Sequence, residues 1–375
     1  MIKIMTIMGT RPEIIRLSRI INSLDKQCNQ KLVYTGQNFN FELSEIFFEQ
    51  LKIRKPDFLF KGSEETSLQT ISRIMLKTNE ILITEKPDAV LILGDTNSCL
   101  AAAIASKRHK TPIFHMEAGN RCYDQRVPEE INRKVIDHIS DINLTYSNIA
   151  KENLLRENFP PDQIIKIGSP LKEVLDYYMP QIQSQKILNQ LKLTENQFFL
   201  VSAHREENIN SERLLKKLEV ALNTVANKFN LPIILSTHPR TQKEINKKKI
   251  KFHSLVQTVK PLGFLDYVCL QMNARCVLSD SGSITEESSI LNFRALNIRE
   301  THERHEGMEE GSVIMVGLNV ERICQALHIL KNQSKGKDRS IKIVNDYNVS
   351  NVSEKVPRII YSYIDYINRV IWKKS

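Results

Sequence analysis

The chain has 375 residues, of which 41% are hydrophobic and 26% charged, the ordinary balance of a globular protein. Because one hydrophobic core rarely organises so long a chain, we expect two domains. No apolar run approaches the roughly 20 residues of a membrane span, and the first apolar run is too short for a signal peptide, so we expect a cytoplasmic protein with no membrane partner.

The net charge of +10 is compatible with nucleic acid, an anionic membrane or a small polyanionic substrate. The densest basic run, at residues 247–251, has no interleaved aromatic residues and is typical of a solvated face. We therefore expect no nucleic-acid partner. The six cysteines show no C-x-x-C spacing, which indicates reduced thiols.

Strand-like apolar runs alternate with amphipathic helical patterns along the chain. The predicted strands lie at residues 3–7, 32–35, 89–93, 112–115, 142–146, 164–167, 198–201, 232–236, 255–256, 276–278, 295–298 and 313–316. This alternation predicts an α/β protein whose parallel sheets are covered by helices on both faces. The polar stretch 168–197 predicts the crossover between two sheets. We predict an N-terminal domain of residues 1–168, joined by a last helix at 356–372, and a C-terminal domain of residues 169–355.

Polar residues gather where the predicted strands end. In open parallel sheets, ligands bind beyond the carboxyl ends of the strands, so these residues are the candidates for function. A cleft between the two domains is the expected location of the site. The polar strand ends are Gly9–Glu13, Gly94–Asn97, His115–Glu117, Ser202–Glu207, Thr237–Arg240 and Ser279–Ser283.

Glu117 is the most informative carboxylate, because burying it at a strand end costs desolvation energy unless it has a partner or a task. Glu129 and Glu130 follow Pro128 at the start of a predicted helix. Early carboxylates also suit the positive end of a helix dipole, so these two are either catalytic or simply favourable at a helix start. The same choice is open for Asp95, which is either a functional carboxylate or a helix cap.

The segment from Asp280 to Glu287 predicts a strand, a turn of small residues and a helix start. Backbone amides with Ser281 and Ser283 would suit a diphosphate, whereas the alternative is a capping box that uses Glu286. Glu287, one turn into this helix, is placed to accept ribose hydroxyls.

Cationic groups also follow strands. Arg11 and Arg16 begin the first helix, where a guanidinium suits phosphate charge, although surface arginines are the alternative. His204 follows a strand of the second half and is a candidate acid–base group or phosphate contact. The dinucleotide fingerprint, the P-loop motif and histidine–cysteine metal spacings are all absent from the sequence, so we expect neither a cofactor nor a metal.

The order and spacing of these motifs resemble the non-hydrolysing UDP-N-acetylglucosamine 2-epimerase family along nearly the whole chain. The motifs that carry the resemblance are GTRPE (9–13), GDT (94–96), EAG (117–119), PEEINR (128–133), HR (204–205), DSG (280–282), EE (286–287) and ER (303–304). The family has proline where His305 follows the last of these motifs.

This resemblance implies a GT-B-like fold, with two Rossmann-like domains facing a nucleotide-sugar cleft, and a homodimer. It implies that Asp95, Glu117, Glu129 and His204 are catalytic. It further implies that the substrate is bound by Arg11, Arg16, Tyr267, Ser281, Gly282, Ser283, Glu287 and Arg304. The N-terminal domain would hold the sugar and the C-terminal domain the UDP.

Within the family, four stretches resemble the branch that makes UDP-N-acetyl-L-fucosamine from UDP-2-acetamido-2,6-dideoxy-L-talose for a capsule or O-antigen polysaccharide. They are GQNFNFEL (36–43), GNRCYDQRV (119–127), SAHREEN (202–208) and NIRE (297–300). The alternatives are plain UDP-N-acetylglucosamine 2-epimerisation, a hydrolysing epimerase, a GT-B glycosyltransferase, or a protein that only binds nucleotide sugars.

Overall fold

The computed structural model describes residues 1–36, 41–60, 66–203, 211–237 and 239–374. The strands in these ranges form two sheets, and every paired strand is parallel. This finding confirms the predicted α/β class with two Rossmann-like sheets. Among the described helices, none is both long and apolar enough to cross a membrane.

The first sheet consists of β1 (Lys3–Met8), β2 (Asn29–Tyr34), β3 (Phe58–Leu59), β4 (Ala89–Leu93), β5 (Ile113–Ala118), β6 (Ile142–Thr145) and β7 (Ile164–Lys166). The second consists of β8 (Phe199–Ser202), β9 (Ile233–Ser236), β10 (Val256–Val259), β11 (Cys276–Ser279), β12 (Ala295–Asn297) and β13 (Ile314–Met315). The strand orders are β3-β2-β1-β4-β5-β6-β7 and β10-β9-β8-β11-β12-β13. In both sheets the order reverses beside the first strand, which creates a crevice at the carboxyl ends of β1 and β4 and another at those of β8 and β11.

The helices of the first half are α1 (Arg11–Gln27), α2 (Phe41–Gln50), α3 (Ser67–Glu85), α4 (Asn97–Arg108), α5 (Pro128–Ile139), α6 (Asn148–Arg156) and α7 (Leu171–Gln183). Those of the second half are α8 (Ile187–Gln190), α9 (Glu212–Phe229), α10 (Pro239–Lys247), α11 (Phe264–Asn273), α12 (Ser283–Leu291), α13 (His305–Glu309), α14 (Val320–Leu330) and α15 (Val352–Tyr366). Short 3-10 helices at Pro161–Gln163 and Asn345–Tyr347 and a π-helical segment at Ile367–Ile371 complete the helical elements of the described residues.

Each of the twelve predicted strands overlaps an observed one, and β3 was missed because its two residues are too few to show a pattern. The predicted last helix begins earlier, at Val352, and continues as the π-helical segment.

The chain divides into two compact units, the first comprising Met1–Asp176 and Asp346–Ser375 and the second Tyr177–Asn345. The division therefore falls inside α7, eight residues beyond the predicted boundary at residue 168. The start of α7 stays with the first unit, where Glu173 accepts hydrogen bonds from the backbone and hydroxyl of Ser353.

The central strands of the first sheet are covered on both faces, as all-parallel sheets require. All five residues of β4 are buried, which explains why its sequence is a continuous apolar run. The last helix covers part of this unit: Val356, Ile360 and Ile364 are buried, and the hydroxyl of Tyr361 donates to the carbonyl of Gln27 at 2.7 Å. Each fully buried aliphatic side chain stabilises the fold by roughly 1.5–3 kcal/mol.

Glu13 ties together the two loops at the β1–β4 crevice. Its carboxylate accepts hydrogen bonds from the amides of Gly9 and Thr10 and, at 2.8 Å, from the hydroxyl of Thr96. Burial raises the pKa of Glu13 from 4.5 to about 7, although these hydrogen bonds oppose the shift.

We predict that Glu13 makes folding stability pH-dependent. Because the folded protein binds this proton more tightly than the unfolded chain, the stabilisation is complete below pH 4.5 and is lost as the pH rises through about 7. In urea denaturation, the stability of the wild type relative to Glu13→Gln should fall by roughly 2–3 kcal/mol between about pH 5 and about pH 8. Parallel pH curves for the two proteins would contradict this prediction.

Candidate active site

Asp95 lies at the carboxyl end of β4, directly after Gly94. It does not cap the following helix, because Thr96 occupies that position and accepts a hydrogen bond from the amide of Cys99. Its Oδ2 instead receives hydrogen bonds from Arg133 of α5, at 3.0 Å from Nε and 2.6 Å from Nη2. This ion pair with Arg133 compensates the charge of Asp95 at the strand end.

Glu117 lies on the neighbouring strand, β5, where the pairing with β6 shifts register between Met116 and Ala118. Its φ of +68° is a left-handed conformation that costs an ordinary residue energy. Its Oε2 lies 3.8 Å from Nε of the buried Arg16. The structure thus places Arg16 against a candidate catalytic carboxylate, whereas the sequence had suggested a phosphate contact. A strained residue that is held by a buried cation is typical of a functional position.

The two glutamates at the start of α5 differ. Glu130 is fully buried and accepts hydrogen bonds from the amides of Cys122 and Tyr123 and from Nη1 of Arg133. Glu130 therefore anchors the loop that precedes its helix. Glu129 is half-buried and lies in the first turn of α5. The N-cap residue, Val127, has no side chain that could cap the helix in its place. This contrast separates the structural carboxylate of the pair from the candidate catalytic one.

Arg11 is the first residue of α1, where a cation opposes the helix dipole. Burial lowers the pKa of this arginine, and its guanidinium carbon lies 5.4 Å from the centre of the Phe47 ring. Its Nε is buried without a hydrogen bond to any described residue. A desolvated cation in this environment is best stabilised by an anionic ligand.

In the second unit, the turn between β11 and α12 presents two serine hydroxyls at the start of a helix. The hydroxyls of Ser281 and Ser283 lie 3.0 Å apart, and Gly282 is the N-cap of α12 without any side-chain cap. The capping-box alternative is therefore wrong. A Cβ at Gly282 would lie 2.4 Å from Oε1 of Glu303, so a larger residue here would have to displace the end of that side chain.

Arg304 is buried, and its Nε donates to Oε1 of Glu286 at 2.8 Å. This contact links α12 to the segment before α13, so Arg304 contacts a buried carboxylate of α12, whereas the family resemblance had implied a substrate contact. His305 is the first residue of α13, a position that also accommodates proline, so the exchange of proline for histidine keeps the helix start.

Glu287 and Tyr267 lie beside the same turn. Glu287 accepts a hydrogen bond from Nε2 of Gln271 on α11 at 2.5 Å. Burial, together with the charge of Glu287, raises the pKa of Tyr267, whose phenol is hydrogen-bonded by Ser202 and Ser279 at the ends of β8 and β11. The end of β11 thus combines serine hydroxyls with the carboxylates of Glu287 and Asp280, both of which act on Tyr267.

His204 lies outside the described residues. So do residues 37–40, which belong to the first of the four stretches that resemble the fucosamine branch. Sequence reasoning gave no role to Arg133, which contacts both Asp95 and Glu130. The Glu130–Arg133 spacing of three residues on a predicted helix was a signal for this ion pair. Among the described side chains, no group of three or more histidine, cysteine, aspartate or glutamate residues is placed to hold a metal ion.

Comparisons with known proteins identify the family of the chain. The family model described as UDP-N-acetylglucosamine 2-epimerase matches residues 22–361. A UDP-2,3-diacetamido-2,3-dideoxy-D-glucuronate 2-epimerase of Pseudomonas aeruginosa is 33% identical over 86% of this chain and 91% of its own.

Solved structures match along the whole chain. The UDP-N-acetylglucosamine 2-epimerase from Rickettsia bellii is 49% identical, covers 100% of both chains and has a TM-score of 0.92. The Methanocaldococcus jannaschii UDP-GlcNAc 2-epimerase, solved with UDP-GlcNAc and UDP, is 31% identical, with a TM-score of 0.89 over 96% of this chain and 100% of its own. These matches confirm the GT-B-like fold class, and the chain belongs to the UDP-N-acetylglucosamine 2-epimerase family.

Proposed function

We propose that the protein is a UDP-sugar 2-epimerase, an isomerase that inverts C2 of a UDP-2-acetamido sugar without a cofactor. The observation that carries this proposal is the pair of carboxylates at the ends of two adjacent strands, each supported by an arginine. Asp95 follows β4 and is held by Arg133, and Glu117 ends β5 beside Arg16. Inversion of a carbon requires proton transfer on both of its faces, and two carboxylates suit this task.

The proposed reaction is an elimination followed by an addition. A base removes the proton from C2, the bond between C1 and the UDP oxygen breaks, and a double bond forms between C1 and C2. UDP then adds back to C1 while an acid delivers a proton to the opposite face of C2. No electrons are gained or lost overall, so the chemistry needs acid–base groups and stabilisation of the departing diphosphate.

In this proposal, the first unit handles the sugar. Asp95, Glu117 and Glu129 transfer protons or orient the ring. Arg11 offers a desolvated cation for the diphosphate. The family resemblance assigns His204 to the same diphosphate. The support for Arg11 is physical, because a half-buried guanidinium at a helix N-terminus gains most from an anion.

The second unit is proposed to hold the nucleotide. The amides and hydroxyls around Ser281, Gly282 and Ser283 suit phosphate oxygens, since helix N-termini attract anions. Glu287 is an acceptor for ribose hydroxyls, and Tyr267 is proposed to lie beside the uracil.

The finer proposal is that the substrate is UDP-2-acetamido-2,6-dideoxy-L-talose and the product UDP-N-acetyl-L-fucosamine. It is supported by the loop at residues 119–127, whose sequence resembles that branch. UDP-N-acetylglucosamine is the second candidate, because the Rickettsia bellii and Methanocaldococcus jannaschii relatives bear that name. The Pseudomonas aeruginosa relative has a different 2-acetamido sugar in its name, so membership of the family does not fix the sugar.

We predict that the protein incorporates solvent deuterium at C2. Purified protein is incubated in deuterated water with each candidate UDP-sugar, and NMR reports the C2 configuration and the label. The deoxytalose derivative should be inverted and labelled faster than UDP-N-acetylglucosamine. Inversion with protium retained at C2 would exclude the elimination route, and release of free sugar would indicate a hydrolysing epimerase. Faster turnover of UDP-N-acetylglucosamine would contradict the proposed substrate but not the proposed 2-epimerase activity.

We further predict that Glu117→Gln lowers turnover by about two orders of magnitude or more, because the amide cannot transfer the proton. Binding of UDP, measured by calorimetry, should be unchanged, since UDP lacks the sugar on which Glu117 acts. The matched control is Glu85→Gln, which also removes a carboxylate from ion pairs in the first unit, with Lys3 and Lys31. Near-normal turnover of the Glu117 variant would remove this residue from the catalytic set.

A further inference from the structure

His115 lies in the middle of β5 and is 1% exposed. Its Nε2 lies 2.8 Å from the carbonyl oxygen of Gly94, and its Nδ1 lies 3.0 Å from Oδ1 of Asp137 on α5. A carbonyl oxygen is an acceptor only, so Nε2 donates to Gly94, while Nδ1 faces the carboxylate of Asp137 at ion-pair distance. The ring therefore connects the end of β4 to α5.

Asp137 extends this connection. Its carboxylate accepts a hydrogen bond from the amide of Gly119 at 3.2 Å and from Nη1 of Arg121 at 2.7 Å. Burial acts to raise the pKa of Asp137, but His115 and Arg121 outweigh it and hold that pKa below its ordinary value. Asp137 is thus a buried carboxylate whose charge is compensated from two sides.

The two backbone groups at the ends of this connection belong to the turns that carry the candidate catalytic carboxylates. Gly94 directly precedes Asp95, and Gly119 follows Glu117 by two residues. Both glycines have positive φ, +84° and +82°, so both turns depend on the local backbone path. A Cβ at Gly119 would lie 2.2 Å from the carbonyl oxygen of Ala150, so this turn has no space for a side chain at that position.

We propose that His115 and Asp137 are a positioning pair that fixes the turns bearing Asp95 and Glu117 relative to each other. This inference rests on the proposed function, in which the two carboxylates act on one carbon. Neither member of the pair needs to touch the sugar. A misplacement of about 1 Å in a proton-transfer group can lower the rate about 100-fold, so a pair that sets this distance controls turnover rather than affinity.

The two ring nitrogens can be tested separately. In His115→Gln the amide nitrogen takes the place of Nε2 and can still donate to Gly94, whereas in His115→Asn it takes the place of Nδ1 and can still reach Asp137. His115→Phe removes both contacts and keeps the ring volume. The control is His109→Phe, which removes a histidine contact to Asn79 in the same unit, away from the two turns.

Hydrogen exchange followed by mass spectrometry reports the turns without any need for activity. The Phe variant should exchange at least about ten-fold faster in both turns, the Asn variant mainly after β4, and the Gln variant mainly at Gly119. The amides of Cys122 and Tyr123, which Glu130 holds independently, are the internal reference and should not change. Unchanged exchange in both turns, or equal acceleration throughout the unit, would overturn the proposal.

Kinetics on the UDP-sugar that the wild type turns over provides the second readout. For His115→Phe we expect kcat to fall about 10- to 100-fold, with KM and the affinity for UDP within about three-fold of the wild type. The Gln and Asn variants should recover part of this loss, and combining His115→Phe with Asp137→Asn should cost less than the product of the single effects. A normal kcat, or a joint loss of kcat and UDP affinity, would show that the pair has no positioning role.

Failure of the proposed function gives a different result. If the wild type turns over no UDP-2-acetamido sugar, that function fails, and with it the catalytic part of this inference. The exchange measurement would still decide whether His115 and Asp137 join the two turns.

Discussion

The structure of the first unit depends on charge compensation of acidic groups that are withdrawn from water. Asp137 is fully buried between His115 and Arg121, and Arg133 serves both Asp95 and the buried Glu130. Removing one partner of a buried ion pair typically costs about 3–5 kcal/mol, because the other charge is left uncompensated. These pairs therefore impose a geometry on the strand ends that hydrophobic packing, which is not directional, would leave free.

The two units present different polar groups at their strand ends. The first presents carboxylates at its strand ends, each beside an arginine. The second presents hydroxyls and helix amides at the turn before α12, and its nearby Glu286 is turned into the protein by Arg304. This difference matches the proposed roles of the two units, since proton transfer at carbon needs carboxylates and phosphate oxygens need hydrogen-bond donors.

Some stability is given up at the candidate active site. Glu117 adopts a left-handed backbone conformation, Arg11 is desolvated at the wrong end of a helix dipole, and burial raises the pKa of Glu13 to about 7. Each arrangement is unfavourable by itself and persists because the surrounding sheet and helices determine it. All three lie at or next to the carboxyl ends of β1, β4 and β5, where the strand order of the sheet creates a crevice.

The sequence by itself determined every strand except β3, the parallel α/β class, the strand-end position of Asp95 and Glu117 and the family. Buried parallel strands are continuous apolar runs, and the spacing of motifs can be read directly along the chain. It left open whether Asp95 and Glu286 cap helices, and it gave no role to Arg133 or His115. Only the tertiary structure decided these points, since the deciding contacts join residues that are far apart in the chain: Glu286 and Arg304 by 18 residues, His115 and Gly94 by 21, and Asp95 and Arg133 by 38. The local sequence pattern shows the hydrophobic period of a helix or strand. The direction of a polar side chain, by contrast, depends on which charged group the fold brings beside it.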